Sequence, residues 1–83
     1  GFIEVPEGHL VDQIEVTQFL DGQTIRQLDL RATAGINVMG IRQIRPEGVR
    51  RVALDPDLKL VRGDMLIVMG PKGAIESFKK AIA

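Results

Sequence analysis

Cysteine, tyrosine and tryptophan are absent from this chain, and histidine and serine occur once each. Without cysteine, no disulfide and no thiolate metal site can staple the fold. With three phenylalanines as the only aromatics, there is little on which nucleic-acid bases could stack. Ser77 falls on the polar side of an expected helix and His9 in a lead-in segment. A nucleophile, base and orienting group therefore have no candidates, and no catalytic residue is expected. The longest apolar runs fall far short of the ~20 residues that a membrane-spanning helix needs. There is no export signal, and Gly1 in place of an initiator methionine reads as the start of an excised domain. The lack of cysteine and of an export signal fits the cytoplasm. Net charge is absent too: 11 bases balance 11 acids, which argues against a general binder of phosphate backbones. The glycines form neither a Walker spacing nor GxGxxG, so no phosphate cradle is expected.

Apolar material, by contrast, is plentiful, at 45% of 83 residues. A single domain of this length buries only a little over ~60% of its unfolded surface. Part of that apolar material is therefore expected to be covered by a partner chain. The charge is also unevenly placed. Six acids and one base (Arg26) precede Arg31, whereas ten bases and five acids run from Arg31 to the end.

Residues 1–9 form a lead-in or linker with Pro6 and Gly8, whose Phe2, Ile3 and Val5 are expected to cover part of the domain. The domain itself occupies residues 10–83. A first strand is expected over 10–17, and Asp21-Gly22 is a turn. Thr24 followed by Gln27 is a capping box. It opens a helix whose apolar stripe is Ile25, Leu28 and Ala32. Leu30 does not fit that stripe. Either the helix tightens or ends near Asp29, or Leu30 points outside its own core. Gly35 suits the left-handed end of a helix, and a strand follows from Ile36. The helix between two strands is a crossover, which makes those strands parallel if they are neighbours.

Residues 42–51 read as a polar loop holding Arg42, Arg45, Arg50 and Arg51, and 52–54 as a short strand. Asp55-Pro56-Asp57 and Arg62-Gly63-Asp64 are turns. The three aspartates could gather round a hard cation. Each also fills an ordinary turn role, and no metal site is expected. Residues 65–69 are continuously apolar, the pattern of a strand buried on both faces. Gly70-Pro71 opens a closing helix with Ile75, Phe78 and Ile82 as its stripe. The fold class is therefore α+β, in the order β-α-β-β-β-α: a small mixed sheet of about four strands with two helices. Two helices cannot cover both faces of such a sheet, and this points to a homodimer. A DNA-binding regulator using the arginine loop is the competing reading, although no nucleic-acid partner is expected.

Two stretches, TIRQLDLRATAGINVMGIRQ and PDLKLVRGDMLIVMG, together resemble the C-terminal domain of regulator-of-potassium-conductance proteins, also called the TrkA C-terminal domain. Leu60, Gly63, Asp64, Leu66, Val68 and Gly70 fill the second motif of that pattern, and the resemblance runs from about Gln13 to Ile82. It implies a homodimeric, ligand-sensing module, cytoplasmic at the inner membrane face and attached to a transporter, a channel or a gating subunit for potassium or another ion. It also implies, in some members, cyclic di-AMP bound between two copies, with no further cofactor. The ligand contacts would fall on Ile25, Arg26, Leu30, Arg31 and Asn37. Ala34 stands where ligand-binding relatives often carry a bulkier residue, and Leu54 where they often carry proline. The alternative within the resemblance is a dimerisation and coupling module with no nucleotide ligand.

Overall fold

His9–Glu15 forms β1, with Leu10 and Ile14 on one face and Val11 and Gln13 on the other. Residues 5–83 are described by the structure, a computed structural model. Phe2 and Ile3, expected to cover part of the domain, lie outside the described residues. The remaining elements are α1 (Ile25–Leu28), α2 (Leu30–Ala34), β2 (Asn37–Arg45), β3 (Gly48–Ala53), β4 (Met65–Pro71) and α3 (Lys72–Ala81).

The four strands form one sheet in the order β1-β4-β2-β3, antiparallel at every pairing. This corrects the expected mixed sheet. β1 and β2 do run in the same direction, as a helical crossover requires, but β4 lies between them. The crossover rule fixes relative direction and leaves neighbourhood open.

The residues taken for an arginine loop are instead a hairpin. β2 continues to Arg45, turns at Pro46-Glu47, and pairs back through β3 in the register Arg42↔Arg51 and Gln43↔Arg50. Alternation along the strands splits the arginines between the two faces, so they do not form one basic patch.

One face of the sheet is covered. Ile14, Ile41, Leu66 and Val68 meet Leu30, Ile36, Leu60, Ile75 and Ile82 in a single core. β4 alternates between fully buried Leu66 and Val68 and half-buried Met65, Ile67 and Met69. Its continuous apolarity thus reflects a central position rather than two covered faces. On the other face, Val11, Met39, Ile44 and Val49 are exposed.

Asp64 is 2% exposed. Its carboxylate accepts from the Ile44 N–H at 3.1 Å and from Arg45 Nη1 at 2.5 Å. Asp55 accepts from the Asp57 N–H, and Asp57 pairs with Arg26. The three turn aspartates therefore each hold a protein partner.

Candidate functional site

The capping box forms as the sequence implies. The Gln27 N–H donates to Thr24 Oγ1 at 3.1 Å, and the Thr24 N–H to Gln27 Oε1 at 2.9 Å. The helix then breaks after one turn. Asp29 takes a left-handed conformation (φ 47°, ψ 50°) and separates α1 from α2. The Thr33 hydroxyl lies at 3.2 Å from the Leu28 carbonyl and 2.9 Å from that of Asp29, and the Asp29 carbonyl also accepts from the Ala32 and Thr33 N–H groups. The break resets the helical phase. Leu30, which fits no stripe of an unbroken helix, is 3% exposed and belongs to the core, while Ala32 is exposed. Of the two expectations for Leu30, the ending near Asp29 holds and the outward-pointing side chain does not.

Gly35 ends α2 with φ 70° and ψ 26°, a backbone that costs other residues ~1–2 kcal/mol. The Ile36 N–H returns to the Leu30 carbonyl at 3.1 Å. This tight return places Arg31 beside the start of β2, where Arg31 Nε donates to Asn37 Oδ1 at 2.9 Å. From the other side, residues 54–60 run alongside α1. The Arg26 N–H donates to the Pro56 carbonyl at 3.0 Å, and Leu60 pairs with Gln23 and Gly22.

Between these walls lies a groove of about 440 Å³. It gathers all five residues singled out above: Ile25, Arg26, Leu30, Arg31 and Asn37. Leu54, Pro56, Val38 and Ile36 complete the apolar side, and Asp29 also lines the groove. Residue-by-residue reasoning did not place Pro56 or Val38 there. The one available signal was the proline turn, which says that the chain reverses but not what it packs against.

The two arginines differ. Arg26 forms a forked pair with Asp57, Nε to Oδ1 at 2.7 Å and Nη2 to Oδ2 at 3.2 Å. The hydrogen bond comes first and the direct charge attraction next in raising the Arg26 pKa above its ordinary value, and the same bond lowers that of Asp57. Arg31 has no acidic partner among the described residues, and its contact with Asn37 engages only Nε. Its terminal nitrogens are free to meet an anion. A guanidinium, an amide and several apolar side chains in one groove can hold a phosphate against a flat hydrophobic body.

A four-stranded antiparallel sheet helix-covered on one face, with a groove at a helix-to-strand glycine turn, defines a small α+β domain. The chain belongs to the TrkA-C domain family, whose pattern matches residues 14–83. It is 31% identical over 81 residues to the Ktr system potassium uptake protein C of Bacillus subtilis (strain 168), a match that covers 98% of this chain and 35% of that protein. Its fold superposes on the regulator-of-conductance C domain of the potassium transport protein KtrA, solved in complex with cyclic diadenosine monophosphate. There the TM-score is 0.76 and the identity 32%, over 89% of this chain and 84% of that one. The GsuK RCK domain shares the fold at TM-score 0.72 and 24% identity, covering 92% of this chain and 16% of the GsuK chain.

Proposed function

We propose that this chain is the ligand-sensing and dimerisation domain of a cytoplasmic potassium-transport regulator, and that its ligand is cyclic di-AMP. The observation that carries this reading is the Arg31–Asn37 pair, set in one groove with Ile25, Leu30, Leu54 and Pro56. The similarity to a KtrA domain solved with that nucleotide supports it.

Cyclic di-AMP is two-fold symmetric, with two phosphates and two adenines. Two copies of the domain, related by a two-fold axis at the groove, present two Arg31 guanidiniums to the two phosphates. Each adenine lies against one apolar wall, and each Asn37 amide meets a phosphate or a base edge. The ligand is then part of the interface, and its binding stabilises one pairing of the two copies. That pairing is what an attached transporter or channel subunit reads. The role is one of binding and coupling, not catalysis.

Arg26 favours a second reading. Its charge is already answered by Asp57, so the groove offers fewer free cations than its sequence suggests. A coupling domain that dimerises without a nucleotide follows if Arg31 alone cannot hold the ligand. Sedimentation velocity with and without cyclic di-AMP separates the readings. Nucleotide that sediments with a dimer supports the first, and a dimer that carries no nucleotide supports the second. A monomer under both conditions contradicts both.

A further inference from the structure

The uncovered face of the sheet carries a second concavity, of about 690 Å³, which shares no lining residue with the Arg31 groove. Val11, Met39 and Ile67 supply its apolar part, and Asp12, Gln13, Arg42 and Arg51 its polar part, with Asp12 already paired to Lys79. Three features of it go unused by the function proposed above. Arg42 on β2 reaches across β4, so that its Nη1 donates to Gln13 Oε1 on β1 at 2.8 Å. Its Nε is buried and meets no acceptor among the described residues. Arg51 sits directly opposite Arg42 in the β2–β3 register, and neither has an acidic partner among the described residues.

Like charges directly opposite on one face of a sheet destabilise the pairing, and a buried donor without an acceptor carries its full desolvation cost. One anionic oxygen pair lodged between the two guanidiniums relieves the first of these. The bond to Gln13 occupies Arg42 Nη1, and Nε is buried, so a carboxylate meets Arg42 through Nη2 and Arg51 through its exposed guanidinium. The same two arginines weigh against a second copy as the occupant. Two such faces brought together would set four guanidiniums against two Glu15 carboxylates, an excess of like charge. The volume and the mix of apolar wall with a few placed polar groups fit a small-molecule recess.

We infer that the open face of the sheet is a second ligand site that takes a small amphipathic carboxylate, its anionic head between Arg42 and Arg51 and its apolar body across Val11, Met39 and Ile67. This site is independent of the nucleotide groove and stands or falls separately from it.

The test is an amide-resolved NMR titration of the folded chain with decanoate, and in parallel with decanol as the uncharged counterpart. Decanoate is expected to shift Val11, Met39 and Ile67 and their neighbours, saturably and at millimolar ligand or below. Decanol is expected to bind about ten-fold more weakly. Arg51→Gln, an exposed change that leaves the core untouched, and Arg42→Gln should each weaken decanoate by about ten-fold. Arg31→Gln should leave it unchanged. The amide spectrum of each variant verifies its fold in the same experiment. Equal binding of decanoate and decanol, shifts centred on another surface, or no saturable shift with a native spectrum would overturn the assignment.

Discussion

Arg31 Nε and Asn37 Oδ1 lie 2.9 Å apart and join the last turn of α2 to the first residue of β2 across Gly35. The bond is exposed, so its contribution to folding is small: about 0.5 kcal/mol or less. Arg31→Ala is accordingly expected to unfold at nearly the wild-type urea midpoint. A large loss of stability would mean that the arginine is a structural member of the turn rather than a group held ready for a ligand.

Gly70 on β4 lies beneath that turn. A Cβ there would come within 3.2 Å of the Gly35 carbonyl oxygen and 3.4 Å of the Ile36 Cα. Both are backbone atoms that cannot rotate away. A Cβ at Gly35 itself would meet nothing within 4 Å, so its cost is one of backbone conformation alone. Gly35→Ala should therefore cost ~1–2 kcal/mol, and Gly70→Ala ~1–3 kcal/mol. Gly70→Ala should in addition displace the amide resonances of Ile36 and Asn37 and weaken ligand binding, although Gly70 lines no part of the groove. Urea denaturation and an amide spectrum check this. A silent Gly70→Ala would show that the turn is looser than the contact implies.

The buried Asp64 carboxylate holds the hairpin to β4 through the Ile44 N–H and Arg45. Asp64→Ala leaves that N–H without its acceptor and is expected to cost about 2–3 kcal/mol by urea denaturation. Asp64→Asn keeps an acceptor but not the charge, so the loss should be smaller. Equal effects of the two would locate the stabilisation in charge alone.

Asp12 on β1 accepts from Lys79 of α3 at 2.8 Å. The Lys79 bond first, and the Gln13 N–H second, lower its pKa from the ordinary value of 3.8. A depressed folded pKa means that the stabilisation is fully present above 3.8 and is lost as pH falls through the lower folded value. The side chains are 42% and 40% exposed, and solvent screening keeps the contribution below about 1 kcal/mol. Asp12→Asn should therefore be slightly less stable than wild type at neutral pH. The two should converge in acid once Asp12 is protonated in both the folded and unfolded chains. A difference that grows in acid would contradict this sign.

The capping box at Thr24 and Gln27 and the glycine stop at Gly35 are local devices, and the sequence shows them without help from the rest of the fold. The break at Asp29 is not of that kind. Nothing marks an aspartate as left-handed until tertiary packing demands Leu30 in the core, and periodicity read through an unbroken helix put Ala32 there instead. The hairpin of β2 and β3 was hidden because an edge strand guarded by Arg50 and Arg51 has the composition of a loop. The place of β4 between β1 and β2 is set by non-local pairing that no short window contains. At the groove, Arg31 and Asn37 are close in sequence and could be suspected together. The opposite wall at Leu54 and Pro56 comes from a distant segment, and nothing in the local spacing connects the two sides.

Calorimetric titration of the folded chain with cyclic di-AMP tests the central claim most directly. The account predicts a saturable heat with one ligand per two chains, and for Arg31→Ala, which removes both symmetric phosphate contacts at once, binding weaker by about ten-fold or more. No heat at hundreds of micromolar ligand, with the chain shown to be folded, would contradict it. So would unchanged affinity in Arg31→Ala.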